Sequence, residues 1–154
     1  MPLPLPVLIA LAVSAFAVFF AGLWCLICFV LAQVGGWSAL AERYRATGPP
    51  QGIRHAMVRG AVGAVEYNGS LTVSVGAEGF YLSVFRLLKL AHPDLYIPWT
   101  AVTAHEERKL FRWETVRLSI GEPRLTTITL PKGIIETGSA APLSRGRRTA
   151  SLSP

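Results

Sequence analysis

No charged side chain occurs in the first 41 residues of this 154-residue chain; all 15 basic and 9 acidic groups lie at or beyond Glu42. Cysteine is confined to Cys25 and Cys28, aspartate to Asp94, and histidine to His55, His92 and His105. Each scarcity excludes something. Two cysteines inside an apolar run cannot build a disulfide framework, and a Cys-x-x-Cys there lacks the polar, accessible setting that redox or metal chemistry needs. They read as small apolar fillers. His105-Glu106-Glu107 lacks the second histidine of His-Glu-x-x-His. Glu106 and Glu107 are adjacent, so on a strand they point to opposite faces and cannot share a substrate. His92-Pro93-Asp94 reads as a turn. No Gly-x-Ser-x-Gly elbow, phosphate-binding loop or dinucleotide fingerprint is present. The pI near 9.9 comes without a helix-turn-helix or an aromatic RNA-binding signature. The expectation is therefore no enzyme, no cofactor, no metal and no nucleic acid. The length that remains after the charge-free start has room for one small domain.

That charge-free start is itself the strongest signal. Between Val7 and Val34 the only strongly polar side chains are Ser14 and Gln33. About 20 apolar residues suffice to cross a hydrocarbon core roughly 30 Å thick, and this run is longer. A cleaved signal peptide would have a shorter apolar core behind a basic segment. Prolines 2, 4 and 6 suit a helix start, where missing amide hydrogens cost nothing. Basic residues follow the span and none precedes it, which places the C-terminal side in the cytoplasm. Arg43, Arg45, Arg54 and Arg59 are the candidate membrane-surface residues, each contributing about 1 kcal/mol near an anionic leaflet. Trp37 and Tyr44 fit an interfacial aromatic belt. Ala10/Ser14 and Ala17/Ala21 put small residues on faces where a second helix could pack.

Gly35-Gly36 ends the span. Trp37, Leu40, Ala41 and Tyr44 recur at helical spacing, so a short neck helix is expected, followed by a Pro/Gly linker over 47–52. From Arg54 the period changes to two. Strands are expected near 56–67, 71–75, 80–86, 96–99, 102–113, 116–120 and 125–130, with Asn68-Gly69 as the best hairpin turn. The domain boundaries are 1–36 for the anchor, 37–53 for neck and linker, 54–131 for the β domain and 132–154 for a disordered basic tail. Between residues 60 and 137 acidic and basic side chains balance. The high pI is therefore a property of the neck and tail.

Two stretches carry a resemblance. Glu78-Gly79-Phe80-Tyr81-Leu82-Ser83 resembles the strand opening of bacterial PH-like and GRAM-like domains, and Ile97-Pro98-Trp99-Thr100-Ala101-Val102 is similar to the step that follows one loop later. The resemblance covers roughly residues 54–131. It implies a curved seven-stranded sheet pair closed by a C-terminal helix, and more widely a short bacterial single-pass membrane protein. Pro131-Lys-Gly-Ile-Ile-Glu-Thr-Gly is a poor helix, so the alternatives are a barrel end left open or one closed by another element, such as the neck helix.

The fold expected is mainly β, a small PH/GRAM-like barrel or two-sheet sandwich tethered to one N-terminal transmembrane helix. The function expected is an interaction module at a bacterial inner membrane, its cytoplasmic domain contacting a protein partner, a second copy, or anionic lipid headgroups. Tyr96, Pro98 and Trp99 form a candidate partner edge, because proline favours edge strands and an open edge can receive a peptide strand. The rival is a structural or assembly subunit of a larger membrane complex, with the span as packing surface.

Overall fold

A computed structural model of the chain describes residues 3–110 and 112–138. The charge-free run forms one helix, α1 (Leu5–Val34), long and apolar enough to span a membrane. At 1.5 Å per residue it is about 45 Å long. Its residues 5–23 are all exposed, Leu11, Phe16, Val18 and Phe19 among them. The last third is different: Cys28 and Ala32 are buried against the following domain. Gly36, at φ 74°, turns the chain into α2 (Trp37–Tyr44). Its free left-handed conformation is what a Cβ would penalise.

Beyond the linker lies a single antiparallel sheet of seven strands in the order β4-β3-β2-β1-β7-β6-β5. The strands are β1 (Ile53–Val62), β2 (Val65–Val75), β3 (Gly79–Val84), β4 (Leu95–Pro98), β5 (Val102–Leu110), β6 (Trp113–Ile120) and β7 (Thr126–Pro131). The sheet curls into a half-barrel. Because β4 and β5 end the order without pairing, it is neither the closed barrel nor the two separate sheets considered from sequence. Alternation does the sorting. Leu71, Val73 and Val75 of β2, Phe80 and Leu82 of β3, Leu118 and Ile120 of β6 and Ile128 and Leu130 of β7 all enter one core.

The first hairpin differs from expectation. The chain turns at Gly63-Ala64, with Val62 paired to Val65, and Asn68-Gly69 lies inside β2. A two-residue turn of the primed type needs φ > 0 at its first position, and Gly63 supplies φ 58°. Asn-Gly is the stronger local turn signal, but obeying it would break the register that buries Val65, Tyr67 and Leu71 together. The chain absorbs Asn68-Gly69 as an irregularity opposite Arg59, between the pairs Val58–Leu71 and Gly60–Tyr67, at one of two shifts in the β1–β2 register.

The segment read as a poor helix and the start of a tail is α3 (Lys132–Gly138). Ile135 is fully buried and Ile134 packs on the core. α3 lies against β1, β2, β6 and β7. Two glycines in seven residues disfavour an isolated helix, but burial of an apolar face overrides propensity. Ile135→Ala is expected to cost about 2–3 kcal/mol, low in the usual range because a short end helix can resettle. Denaturant unfolding in detergent micelles, followed by circular dichroism, checks this. The disordered tail expected for the rest of 132–154 lies, from 139 on, outside the described residues.

Candidate functional site

The connection between β3 and β4, residues 85–94, is where the helices grip the domain. Three of its backbone carbonyls are bound by side chains from other elements or from its own turn. The Trp24 indole N–H donates to Leu87 O at 3.0 Å. The Trp37 indole N–H donates to Pro93 O at 2.9 Å. His92 Nδ1 lies 2.9 Å from Leu88 O, and its Nε2 lies 2.9 Å from the Tyr67 hydroxyl. A carbonyl can only accept, so Nδ1 carries the proton and Nε2 of the neutral ring accepts from Tyr67. Trp37, Tyr67 and His92 pack mutually, His92 edge-to-face with both other rings, with ring centroids 5.1 to 5.8 Å apart.

This cluster is sealed, and its ionisation behaviour follows. Burial pushes the His92 imidazole below its ordinary value. Burial also pushes the Tyr67 phenol up to about 12. For Tyr67 the folded state holds its proton more tightly than the unfolded chain. Its contribution is complete below pH 10 and is lost as pH rises from 10 through about 12, about 2–3 kcal/mol in all. His92 acts oppositely: stability falls as pH drops below the unfolded imidazole value near 6.5. Tyr67→Phe is expected to flatten the alkaline limb, as read from unfolding midpoints across pH.

Beside the cluster is an open cleft of about 390 Å³ lined by Arg45, Ala46, Tyr81, Lys89, Leu90, Pro93 and Asp94. Lys89 and Asp94 form an ion pair at 2.9 Å, and the second carboxylate oxygen of Asp94 is buried without a hydrogen-bond partner. Burial and the Asp94 carboxylate raise the Tyr81 phenol above its usual value. Arg45 borders the same cleft with an exposed side chain.

The structure distributes the basic residues read from sequence. Arg43 lies in the last turn of α2, and Arg45 caps that helix and bridges Leu95 at the start of β4. Arg54 opens β1 opposite Ser74, at the end of the strand remote from the Gly63 turn that abuts Gly35. Arg59 sits exposed within β1, between the two. The four do not form one patch at the end of α1. Arg108 and Lys109 face carboxylates, Glu106 at 3.9 Å and Glu114 at 4.0 Å, so these two cations are paired within their hairpin. Glu107 instead reaches Lys132 of α3 at 3.1 Å, on the opposite side from Glu106.

The candidate partner edge is similarly divided. β4 is an edge strand, but its first residues are covered: Arg45 bridges Leu95, and the Ala46 N–H donates to Asp94 O. Tyr96 is exposed and Pro98 half-buried. Trp99 is tied inward, its indole donating to Gly76 O at 3.0 Å and its ring 5.2 Å from Phe80. Trp37, read as an interfacial aromatic, is fully buried in the core. Trp24 and Lys89 were missed. The available signal was residues 85–91, Phe-Arg-Leu-Leu-Lys-Leu-Ala, a strand gap with no turn-forming residue. Among the described residues no group of three or more His, Cys, Asp or Glu is arranged to hold a metal ion. The chain matches no family model, no curated protein and no solved structure.

Proposed function

We propose that the chain is a non-enzymatic, single-pass anchored interaction module of a bacterial inner membrane, with a PH-like or GRAM-like cytoplasmic domain that meets anionic lipid headgroups at the Arg45–Lys89 cleft. One observation carries this reading: the end of α1 and all of α2 are part of the domain's packing. Ala32, Trp37 and Leu40 belong to the same core as the strands, and Thr126 donates to Gly35 O at 3.2 Å. The domain is therefore not a ball on a leash, although residues 47–52 look like one. The span holds it at a set orientation with the cleft near the helix end. Seven antiparallel strands followed by a short helix support the PH-like reading, while the single open sheet departs from the sheet pair that the likeness implies. Basic residues after the span and none before it support the cytoplasmic side.

The test uses the full chain in nanodiscs of mixed zwitterionic and anionic lipid. Anionic lipid is expected to be enriched among molecules that co-purify in detergent, and enrichment is expected to fall in the Arg45→Gln/Lys89→Gln variant. Equal lipid composition in both proteins would remove the headgroup reading. Scrambling residues 5–23 at constant hydrophobicity separates the module from an assembly subunit. Crosslinked association should survive the scramble for a module and vanish for a subunit.

A further inference from the structure

We propose that residues 85–91 form a second membrane contact, an apolar loop that enters the headgroup–acyl boundary alongside α1. The proposal rests on the reading of α1 as a membrane span. Three observations lead to it. First, the loop is held at a definite depth on the helix. The Trp24 indole donates to Leu87 O, and the Cys28 thiol, one helical turn on, approaches the same oxygen at 3.9 Å. From Leu5 to Trp24 the helix rises about 29 Å, nearly the roughly 30 Å of a hydrocarbon core. Trp24 then sits at the membrane boundary on the domain side, the level tryptophan favours. Leu87 sits at that level with it.

Second, the loop's outward side chains suit that level. Phe85 is 59% exposed, Leu87 62% and Leu90 72%, in a seven-residue stretch with no acidic group. They alternate with Arg86, whose long stem can lie along acyl chains while its charge reaches phosphates, and with Lys89, whose ammonium is held by Asp94 at 2.9 Å. Third, the loop is rigid for a structural reason. His92 anchors it from below through Leu88 O and Tyr67, and its turns close through Leu88 N–H to Phe85 O and Phe85 N–H to Ser70 O. The apolar side chains are thus presented outward because the core clamp leaves them no inward position. The bilayer is the one apolar medium that α1 carries to this depth.

The experiment places an environment-sensitive thiol probe at single cysteines in the full chain, with Cys25→Ala and Cys28→Ala removing the native thiols. The protein is reconstituted in phosphatidylcholine–phosphatidylglycerol vesicles containing lipid with a nitroxide near the top of the acyl chain. Probes at Leu90→Cys and Leu87→Cys should be blue-shifted and quenched several-fold more than a probe at Lys109→Cys, on the far β5–β6 hairpin. A probe at Phe16→Cys, within α1, reports the span itself. If the Phe16 probe is quenched while both loop probes match Lys109→Cys, the loop proposal is overturned and the anchor stands. If the Phe16 probe is also unquenched, the span reading fails and takes the loop proposal with it.

Discussion

Trp37→Ala is expected to lower the unfolding free energy of the domain by about 3–5 kcal/mol, the range for truncating a fully buried large aromatic. Trp37 has no exposed surface, packs tilted or edge-on against both Tyr67 and His92, and donates its indole N–H to Pro93 O. The truncation would leave a cavity between α2 and the sheet and a carbonyl without its partner. Trp37→Phe separates the two losses. It keeps most of the ring packing and removes the N–H, so a smaller cost of about 1–3 kcal/mol is expected. Urea unfolding in micelles gives the midpoints. Hydrogen exchange gives a second readout: amides of residues 85–94 should lose protection first in Trp37→Ala, since that connection hangs on this ring. Equal loss of protection across β5–β7 would contradict the assignment of Trp37 as the joint between neck and loop.

Gly63→Val should be comparably severe, at about 3–5 kcal/mol, by a different route. Gly63 adopts φ 58°, where an L residue pays about 1–2 kcal/mol and a β-branched one more. A Cβ there would also stand 2.5 Å from Gly35 O, a backbone atom with no free side chain to move aside. Relieving such overpacking costs about 1–3 kcal/mol further. The relief must come at the contact between the first hairpin and the end of α1, so the domain should unseat from the helix as well as weaken. Increased exchange at residues 35–40, with a lower urea midpoint, is the expected pair of results. Gly133→Ala is the control. It faces open space on α3 and should stabilise by about 0.5–1 kcal/mol. A Gly63 variant with wild-type stability would show that the hairpin does not bear on α1.

The sealed cluster and the cleft differ in what they allow. His92 is buried, hydrogen-bonded at both ring nitrogens and closed off by Trp37, so it holds a loop in place. The proline between His92 and Asp94 separates their tasks: one faces the core, the other pairs with Lys89 at the cleft. A flexible linker would raise local concentration and leave orientation free. Helices that share the core hold the orientation, so any contact the domain makes is decided by which face it turns to the bilayer.

Sequence alone was enough wherever the signal is a period or a long run. Val7–Val34 without charge admits one structure, because a helix satisfies every backbone group within its own segment. Alternation in Leu71–Val75 and in Val116–Ile120 places strands, because side chains on a pleated sheet repeat every two residues. Tertiary structure decided the rest, where local signals compete or are silent. Gly63-Ala64 won over Asn68-Gly69 because register across the whole sheet outweighs one good turn. Lys132–Gly138 became helical because Ile134 and Ile135 had a core to enter. Trp37, expected at the membrane interface, entered the core, and Trp24 bonded the β3–β4 connection. An indole N–H goes to whichever carbonyl the fold brings near, and Leu87 and Pro93 lie more than 50 residues away in sequence.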